Sequence, residues 1–379
     1  MDSLVPMEPP LLRHIKSEPG RVHFNNAGLS PMLPAAASAI SSYLQYHSAN
    51  GSFAWPELLG RFKEARELHA KLLDCEPECV AFFQTCASAI SQVALGLDWK
   101  PDDEIIIWDQ EYPSNAFPWF EASRRFGCSV TVLDSEPDFS VPTEKLIGAI
   151  SSKTRMVAVS WVQYQTGAMT DIQLLSQVCK KNNCWLVVDA IQGLGAIPFS
   201  LRESGADAVC GGGHKWFLGP VGHGFLALTR ERFDQLNPIL HGAMTYGTSE
   251  DRPDRGKLPK KIGGRYEPGV PHLHGSIGSA ASLRVLLSEG IENINQHALR
   301  MASLLREELP KIGAKVYPGG RESPIVTFVP EGSLDRASKV LLENQISHAS
   351  GRAGGIRVSP HGFTTEEDCE RLLGALRRS

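Results

Sequence analysis

The sequence predicts an α/β fold with a mostly parallel central sheet and a smaller C-terminal α+β domain. Between residues 79 and 210, short apolar runs typical of strands alternate with amphipathic segments typical of helices. The clearest run, residues 185–188, is apolar and rich in β-branched residues, as expected for a strand buried on both faces. At 379 residues the chain exceeds one typical domain, so two lobes are expected.

Periodicity and turn residues place the individual elements along the chain. Apolar residues three and four positions apart predict helices at 34–46, 55–73, 85–97, 171–183, 275–310, 334–344 and from 365 onward. Apolar or alternating runs predict strands at 80–83, 103–108, 129–133, 155–161, 185–188, 207–210, 222–228, 315–317, 325–328 and 356–359. Residues 241–272 lack periodicity, and a loop of that length usually forms a functional flap or an oligomer contact.

These elements divide the chain into three parts. We expect an N-terminal arm at 1–21, a large cofactor-binding α/β domain at 22–272, and a small α+β domain at 273–379. The segment at the start of the large domain is expected to be shared with the small lobe.

Composition excludes several classes of function. The hydrophobic fraction of 42% and the charged fraction of 21% are ordinary for a globular enzyme. A net charge of -4 argues against a nucleic-acid partner, and no apolar run approaches membrane-spanning length. The prolines near the N-terminus do not fit a signal peptide, so a cytoplasmic location is expected. The eight cysteines are scattered without zinc-site spacing, so no metal is expected and most should be free, buried thiols.

A carboxylate and an amine follow two successive predicted strands. Asp189 ends one strand, and open α/β sheets bind ligands at the carboxyl ends of their strands. Lys215 follows the next strand and three glycines, which let the backbone approach a bound molecule. Taken singly, a helix cap and a solvated loop lysine explain these residues. Together with Gln192 and His214, they favour pyridoxal 5′-phosphate, which needs a lysine for a Schiff base and an acid at its ring nitrogen.

Four motifs extend this interpretation to almost the whole chain. They are VDAIQG at 188–193, GGHKWFLGPVGHGFL at 212–226, EYPSN at 111–115 and IRVSPHGFTTEED at 356–368. Taken in their order along the chain, they resemble the class V aminotransferase superfamily, which includes cysteine desulfurases, selenocysteine lyases, kynureninases and isopenicillin N epimerase-like proteins. The resemblance implies fold type I of the pyridoxal phosphate enzymes, a homodimer and a small amino-acid substrate.

The resemblance also implies roles for residues at the cofactor. Lys215 would form the Schiff base, with Asp189, Gln192 and His214 around the cofactor. The residues implied for its phosphate and ring are Thr85, Cys86 and Ala87 at a helix N-terminus, Tyr112 in place of a ring-stacking histidine, and Gln163 near the 3′-oxygen. A plain N-cap explains Thr85 equally well, and a tyrosine packed at a loop edge explains Tyr112.

On the substrate side, Arg357 matches the family arginine that binds the α-carboxylate, and Asn26, with Ala27 and Gly28, matches an early turn at the active site. An arginine on the outer face of a strand and a simple strand-to-turn segment are the alternatives. Relatives carry a threonine that reaches the cofactor phosphate of the neighbouring subunit. Val270 stands at that position, which leaves this contact in doubt.

The residues that are missing narrow the expected reaction. Cysteine desulfurases carry a cysteine just before the arginine strand, because persulfide transfer needs a thiolate, whereas residues 348–355 contain none and suggest a tight connector. We therefore expect an aminotransferase-like enzyme, with a C–S lyase or desulfurase-like elimination and an epimerase as alternatives. A non-catalytic cofactor-binding scaffold remains open. A dehydrogenase lacks support, because no G-x-G-x-x-G follows the early strands.

Overall fold

A computed structural model describes residues 8–247, 256–270, 272–318, 320 and 322–378. The first part of the predicted arm and part of the 241–272 loop lie outside these residues. The strands are β1 Val22–His23, β2 Val80–Phe83, β3 Glu104–Trp108, β4 Ser129–Leu133, β5 Thr154–Ser160, β6 Trp185–Asp189, β7 Ala208–Gly212, β8 Gly224–Leu228, β9 Lys315–Val316, β10 Val326–Val329, β11 Ile346–Ser347, β12 Ala349–Arg352 and β13 Gly355–Val358.

The helices alternate with the strands in the first two thirds of the chain. They are α1 Pro34–Asn50, α2 Trp55–Leu73, α3 Cys86–Gly96, α4 Pro113–Phe126, α5 Thr143–Ala149, α6 Ile172–Lys181, α7 Leu201–Ser204, α8 Ala243–Tyr246, α9 Leu273–Glu289, α10 Ile291–Glu308, α11 Leu334–Glu343 and α12 Glu366–Leu376. None of the helices in the described ranges is long and apolar enough to cross a bilayer.

The central sheet has seven strands in the order β2-β8-β7-β6-β5-β3-β4. The five strands β7, β6, β5, β3 and β4 run parallel, and β8 pairs antiparallel with both β7 and β2. The predicted α/β fold with a mostly parallel sheet is confirmed. Because β6 and β7 are parallel neighbours, their carboxyl ends bring Asp189 and the segment leading to Lys215 to the same edge.

The small lobe is built on a second sheet, with the order β12-β13-β10-β9, and on helices α10, α11 and α12. Strand β1 pairs parallel with β11, so the segment after the arm joins the small lobe. Helix α9 instead packs against α1 and α2 of the large lobe, and Leu273 to Ile294 contribute to the core of that lobe. The boundary at 272/273 stays a prediction.

Two predicted elements differ from the observed ones. The single helix expected at 275–310 is two helices, because Gly290 between them has φ +84°, a left-handed conformation that ends α9. The tight connector expected at 348–355 is a β-hairpin formed by β12 and β13. Its two-residue turn, Ala353-Gly354, has positive φ at both positions, as hairpin turns of this length require.

Candidate active site

A cavity of about 320 Å³ lies at the carboxyl ends of the central strands, where the two lobes meet. The residues predicted from sequence that line it are Ala27, Gly28, Thr85, Cys86, Ala87, Tyr112, Asp189, Gln192, His214, Lys215 and Arg357. Most of the predicted site is therefore brought together in one place.

Asp189 is a buried carboxylate at the end of β6. Its Oδ1 accepts the N–H of Ile191 at 3.0 Å and the thiol of Cys86 at 3.5 Å. Burial raises the pKa of Asp189, while the Ile191 N–H and the nearby Lys215 charge act in the opposite direction. Within the described chain no ion pair engages Asp189, so it keeps acceptor capacity for a cationic N–H in the cavity.

Lys215 projects into the same cavity from the segment after β7. Burial lowers the pKa of Lys215 to about 8, and the positive charge of Arg357 adds to this effect, whereas Asp189 opposes it. Its Nζ lies 5.6 Å from the centre of the Tyr112 ring. At neutral pH more of this amine is uncharged than that of a solvated lysine, so it can attack a carbonyl carbon.

The N-terminus of α3 forms a second wall of the cavity. The Thr85 hydroxyl accepts the Ser88 N–H at 3.0 Å, and the Ser88 hydroxyl accepts the Thr85 N–H at 3.1 Å. The predicted N-cap at Thr85 is confirmed. In the described ranges, the backbone N–H groups of Cys86 and Ala87 donate to no protein acceptor. Two free N–H groups at the positive end of a helix dipole suit a phosphate.

The close approach that forms this wall depends on Gly224 of β8. A Cβ built on Gly224 would lie 2.2 Å from the Thr85 carbonyl carbon, so no other residue fits without moving the loop. His214 also lines the cavity. Burial and the Lys215 charge lower the pKa of His214 to about 4, which keeps its ring neutral.

Arg357 on β13 is almost fully buried, with 2% of its surface exposed. Its Nη1 donates to the Tyr164 carbonyl, and its Nη2 donates to Asn25 Oδ1 at 3.2 Å. Its Nε is buried without an acceptor, and no carboxylate in the described chain pairs with the guanidinium. Burial, and then the charge of Arg352, lower the pKa of Arg357 to about 10, so it remains cationic at neutral pH.

Two predicted residues, Asn26 and Gln192, have their side-chain polar groups engaged by the protein. Asn26 does not line the cavity, because its Nδ2 donates to the Ser359 carbonyl at 2.7 Å and its Oδ1 accepts the Ser30 hydroxyl at 2.9 Å. The neighbouring Asn25 is the residue that contacts Arg357. Gln192 lines the cavity, but its amide binds the Ala27 carbonyl and the Trp216 indole N–H, each at 3.0 Å.

Gln163 was expected near the cofactor oxygen and instead lies against a buried carboxylate. Its Nε2 donates to Glu111 at 3.0 Å, and the adjacent Tyr164 lines the cavity in its place. Glu111 also accepts the Ser160 N–H and hydroxyl and the Asn115 amide. Burial raises the pKa of Glu111 to about 7, although these hydrogen bonds act to lower it. Glu111, the residue before Tyr112 in the chain, thus joins β5 to α4.

Four residues of the cavity were not among the predicted site residues: Ser114, Tyr164, Ile191 and Arg352. The Tyr164 ring meets the Tyr112 ring edge-on, with centroids 5.1 Å apart. The Arg352 guanidinium carbon lies over the Tyr164 ring, 5.3 Å from its centroid. Ser114 and Ile191 lie within the EYPSN and VDAIQG motifs, whereas no motif marked Tyr164 or Arg352. The glycines around Arg352 were a turn signal close to Arg357.

The loop before α9 is anchored to the large lobe. Glu267 accepts the Phe82 N–H at 2.8 Å and pairs with Arg66 at 2.8 Å, while the Tyr266 hydroxyl donates to the Leu236 carbonyl. Val270, at the end of this anchored segment, is 74% exposed. The position expected to face a neighbouring subunit is therefore on the surface.

The donor set of the cavity fits pyridoxal 5′-phosphate. Two unpartnered helix N–H groups suit the phosphate, and the Lys215 amine suits the aldehyde. The buried carboxylate of Asp189 suits a protonated ring nitrogen. Tyr112 supplies an aromatic surface beside the amine.

Comparison with known proteins gives an independent result. The family model described as aminotransferase class-V matches residues 22–372. A probable cysteine desulfurase of Methanothermobacter thermautotrophicus is 28% identical, over 96% of this chain and 94% of that protein. The uncharacterized aminotransferase YcbU of Bacillus subtilis is 27% identical, over 91% of this chain and 90% of that protein.

Solved structures share the fold. The apo structure of cysteine desulfurase from Thermococcus onnurineus superposes with a TM-score of 0.86 at 23% identity, covering 98% of this chain and 96% of that one. A complex of the cystine C–S lyase C-DES with its product cysteine persulfide superposes with a TM-score of 0.85 at 23% identity, covering 94% and 97%.

Proposed function

The chain belongs to the class-V aminotransferase family of pyridoxal phosphate-dependent enzymes, and we propose that Lys215 holds the cofactor covalently and that the enzyme acts on a small amino acid. The observation that carries this proposal is that Lys215, Asp189 and Arg357 line one cavity. When bound, pyridoxal phosphate supplies an aldehyde that captures amines and a ring that withdraws electrons from the substrate α-carbon.

The side chains of this enzyme would then divide the work. Asp189 holds a proton on the ring nitrogen and so maintains the electron demand of the ring. The N–H groups of Cys86 and Ala87 would hold the phosphate, and Tyr112 would supply an aromatic surface for the ring. Lys215 would be released when the substrate amine takes its place on the cofactor. With its pKa lowered to about 8, the free amine would take the proton from the substrate α-carbon as a general base and return it as a general acid.

Arg357 orients the substrate. A guanidinium with a buried, unpartnered Nε attracts the α-carboxylate, and this contact fixes which bond at the α-carbon faces Lys215. Asn25 and the Tyr164 carbonyl hold the guanidinium in place from the other side. Replacement of Arg357 by Lys would keep the charge but lose the planar geometry.

Transamination is the reaction that we propose first, and elimination at the β-carbon is the second candidate. The names of the relatives, probable cysteine desulfurases, favour the second. A persulfide carried on the enzyme is not proposed, because Cys86 is the cysteine that lines the cavity in the described chain. Burial keeps the pKa of Cys86 well above its usual value, and its thiol donates to Asp189.

The cofactor assignment is tested by absorption spectroscopy and mass spectrometry. We expect purified protein to show a band near the visible edge that disappears on borohydride reduction, with the added mass on the Lys215 peptide. Lys215→Ala should abolish both the covalent link and turnover, whereas Lys153→Ala, an exposed lysine, should change neither. Protein that stays colourless when pyridoxal phosphate is added would overturn the proposal.

The reaction is tested by following the fate of the substrate nitrogen in a single turnover. Transamination predicts a keto acid with the nitrogen retained on the enzyme, whereas elimination predicts a keto acid with free ammonia, and with sulfide when the substrate carries sulfur. Release of free ammonia in stoichiometric amounts would rule out transamination and favour elimination at the β-carbon.

We also propose that the enzyme is a cytoplasmic homodimer. Exposed apolar side chains lie next to cavity-lining segments, notably Leu29 after Gly28 and Val221 after Lys215 in the chain, and these suit a protein contact. All eight cysteines carry free thiols, which suits a reducing compartment.

A further inference from the structure

Arg352 reaches the cavity because of an irregularity in the β12–β13 hairpin. Ser350 pairs with Ile356, but Arg352 pairs with Gly355, so Gly351 is an extra residue in the strand. Gly351 has φ +78°, the conformation that a glycine bulge adopts.

This bulge decides which face of the hairpin carries Arg352. In a regular hairpin of this register, Arg352 would oppose residue 354 and would lie on the face opposite to Arg357. With the bulge it opposes Gly355, two positions from Arg357, and side chains two positions apart share a face. The extra glycine therefore aims two arginines at the same cavity.

The position of Arg352 is held by its surroundings. The Ala353 N–H donates to Gln165 Oε1 at 3.0 Å, and the Tyr317 hydroxyl donates to the Ala353 carbonyl at 2.5 Å. The guanidinium rests on the Tyr164 ring, and its Nε is buried without an acceptor. In the described ranges, no carboxylate pairs with Arg352, so its charge has no protein counter-ion.

The anionic groups assigned so far do not account for this second cation. In the proposed function, Arg357 would bind the α-carboxylate of the amino acid, and Asp189 would bind the protonated ring nitrogen. The cofactor phosphate is matched by the free N–H groups of α3. A cavity that holds two arginines without protein counter-ions suits a ligand with a further negative charge on the substrate side.

We propose that Arg352 binds a second anionic group on the substrate, so that the substrate class is small amino acids whose side chain carries a carboxylate, sulfinate or phosphate. This inference rests on the proposed function, because it assumes that Arg357 receives the α-carboxylate. Arg352 is then the residue that determines substrate specificity.

The test compares isosteric pairs of amino acids on the pyridoxal phosphate-loaded enzyme. Binding is measured as the change in the cofactor absorption band for aspartate against asparagine and for glutamate against glutamine. Cysteine sulfinate and phosphoserine are compared with cysteine and serine. We expect at least one anionic member to bind roughly ten to a hundred times more tightly than its neutral partner. The anion preferred identifies the side-chain group.

The variants assign the preference to Arg352. Arg352→Met should reduce the preference to near one, and Arg352→Lys should retain part of it. Arg336→Met removes an equal charge from the exposed surface of α11 and should leave the preference intact. Thermal unfolding checks that each variant is folded, and the wild-type comparison stands even if a variant is not.

Three outcomes would overturn the inference. Equal binding of charged and neutral partners by the wild type would do so, as would an unchanged preference in Arg352→Met. A loss of cofactor affinity in Arg352→Met without a change in preference would assign Arg352 to the cofactor phosphate. In each case the spectral response to neutral amino acids shows that the proposed function still holds, whereas absence of any amino-acid response would refute that function itself.

Discussion

At the residue scale, Lys215 shows how burial changes the chemistry of an ordinary side chain. The cavity walls remove water from its amine and lower its pKa to about 8, although Asp189 pulls the other way. The balance of these effects on the pKa cannot be read from the sequence, because Lys215, Asp189 and Arg357 come from distant positions in the chain. The sequence did predict that Asp189 and Lys215 lie close together, since the carboxyl ends of neighbouring parallel strands meet at the same edge of the sheet.

This pKa predicts the pH dependence of cofactor attachment. Only the neutral amine attacks the aldehyde, so protonation of Lys215 slows attachment as the pH falls below the folded pKa. For apoenzyme mixed with pyridoxal phosphate, we expect the rate to rise about tenfold per pH unit below the pKa and to level off above pH ~8. Stopped-flow absorbance measures it. An attachment rate that keeps rising to pH ~10 would show that the pKa of Lys215 is that of a solvated lysine, and would contradict this prediction.

Arg357 and Asn26 illustrate where residue-level prediction succeeds and fails. The IRVS motif placed Arg357 correctly in the cavity, because a β-strand fixes the side to which alternate residues point. Asn26 lies in a turn without such a period, and the structure turns its amide toward Ser359. The neighbouring Asn25 takes the contact with Arg357, a shift of one residue that a turn hides from sequence reasoning.

At the element scale, the N-terminus of α3 has two functions that can be separated. The Thr85 hydroxyl caps the helix, and the same turn presents the N–H groups proposed to bind phosphate. Thr85→Ala should lower the free energy of unfolding by about 1 kcal/mol through loss of the cap. It should also weaken pyridoxal phosphate binding severalfold, because the turn is less ordered.

Ser333→Ala is the matched control, since the Ser333 side chain caps α11 by accepting the Arg336 N–H. Denaturant unfolding and equilibrium dialysis of the cofactor measure the two effects. We expect both variants to lose similar stability and only Thr85→Ala to lose cofactor affinity. Equal cofactor affinities in the two variants would contradict the phosphate role of the α3 turn.

The β12–β13 hairpin marks the limit of prediction from periodicity. Strict alternation of side chains would place Arg352 and Arg357 on opposite faces of the hairpin. The bulge at Gly351 places them on the same face. The division of the predicted helix at Gly290 is a simpler case, because a glycine inside a helical pattern indicates a possible helix end. The strands of the large lobe followed their sequence patterns closely, since burial on both faces leaves little freedom. Helices α4 and α5 had not been predicted individually.

At the scale of the whole molecule, the apolar surface beside the cavity predicts self-association. Val221 is 65% exposed in the turn after Lys215, and burial in a dimer would remove it from water. We expect sedimentation analysis to give twice the chain mass of 41.4 kDa for the wild type. Val221→Asp should shift the equilibrium toward monomer, because a carboxylate is costly to bury unpaired.

Leu342→Asp provides the comparison, since Leu342 on α11 is similarly exposed, at 57%, and lies on the small lobe away from the cavity. This variant should keep the mass of the wild type. A wild-type protein that sediments as a monomer at all concentrations would refute the dimer.

The order in which the chain is synthesised has a consequence for the contact between Arg357 and Asn25. These two residues are separated by 332 positions, and β13 comes close to the end of the chain. A nascent polypeptide on the ribosome completes the strands that carry Asp189 and precede Lys215 long before Arg357 leaves the exit tunnel. The residues proposed to hold the cofactor are therefore synthesised before the arginine proposed to hold the substrate, and a chain that lacks β13 would keep the first group and lose the second.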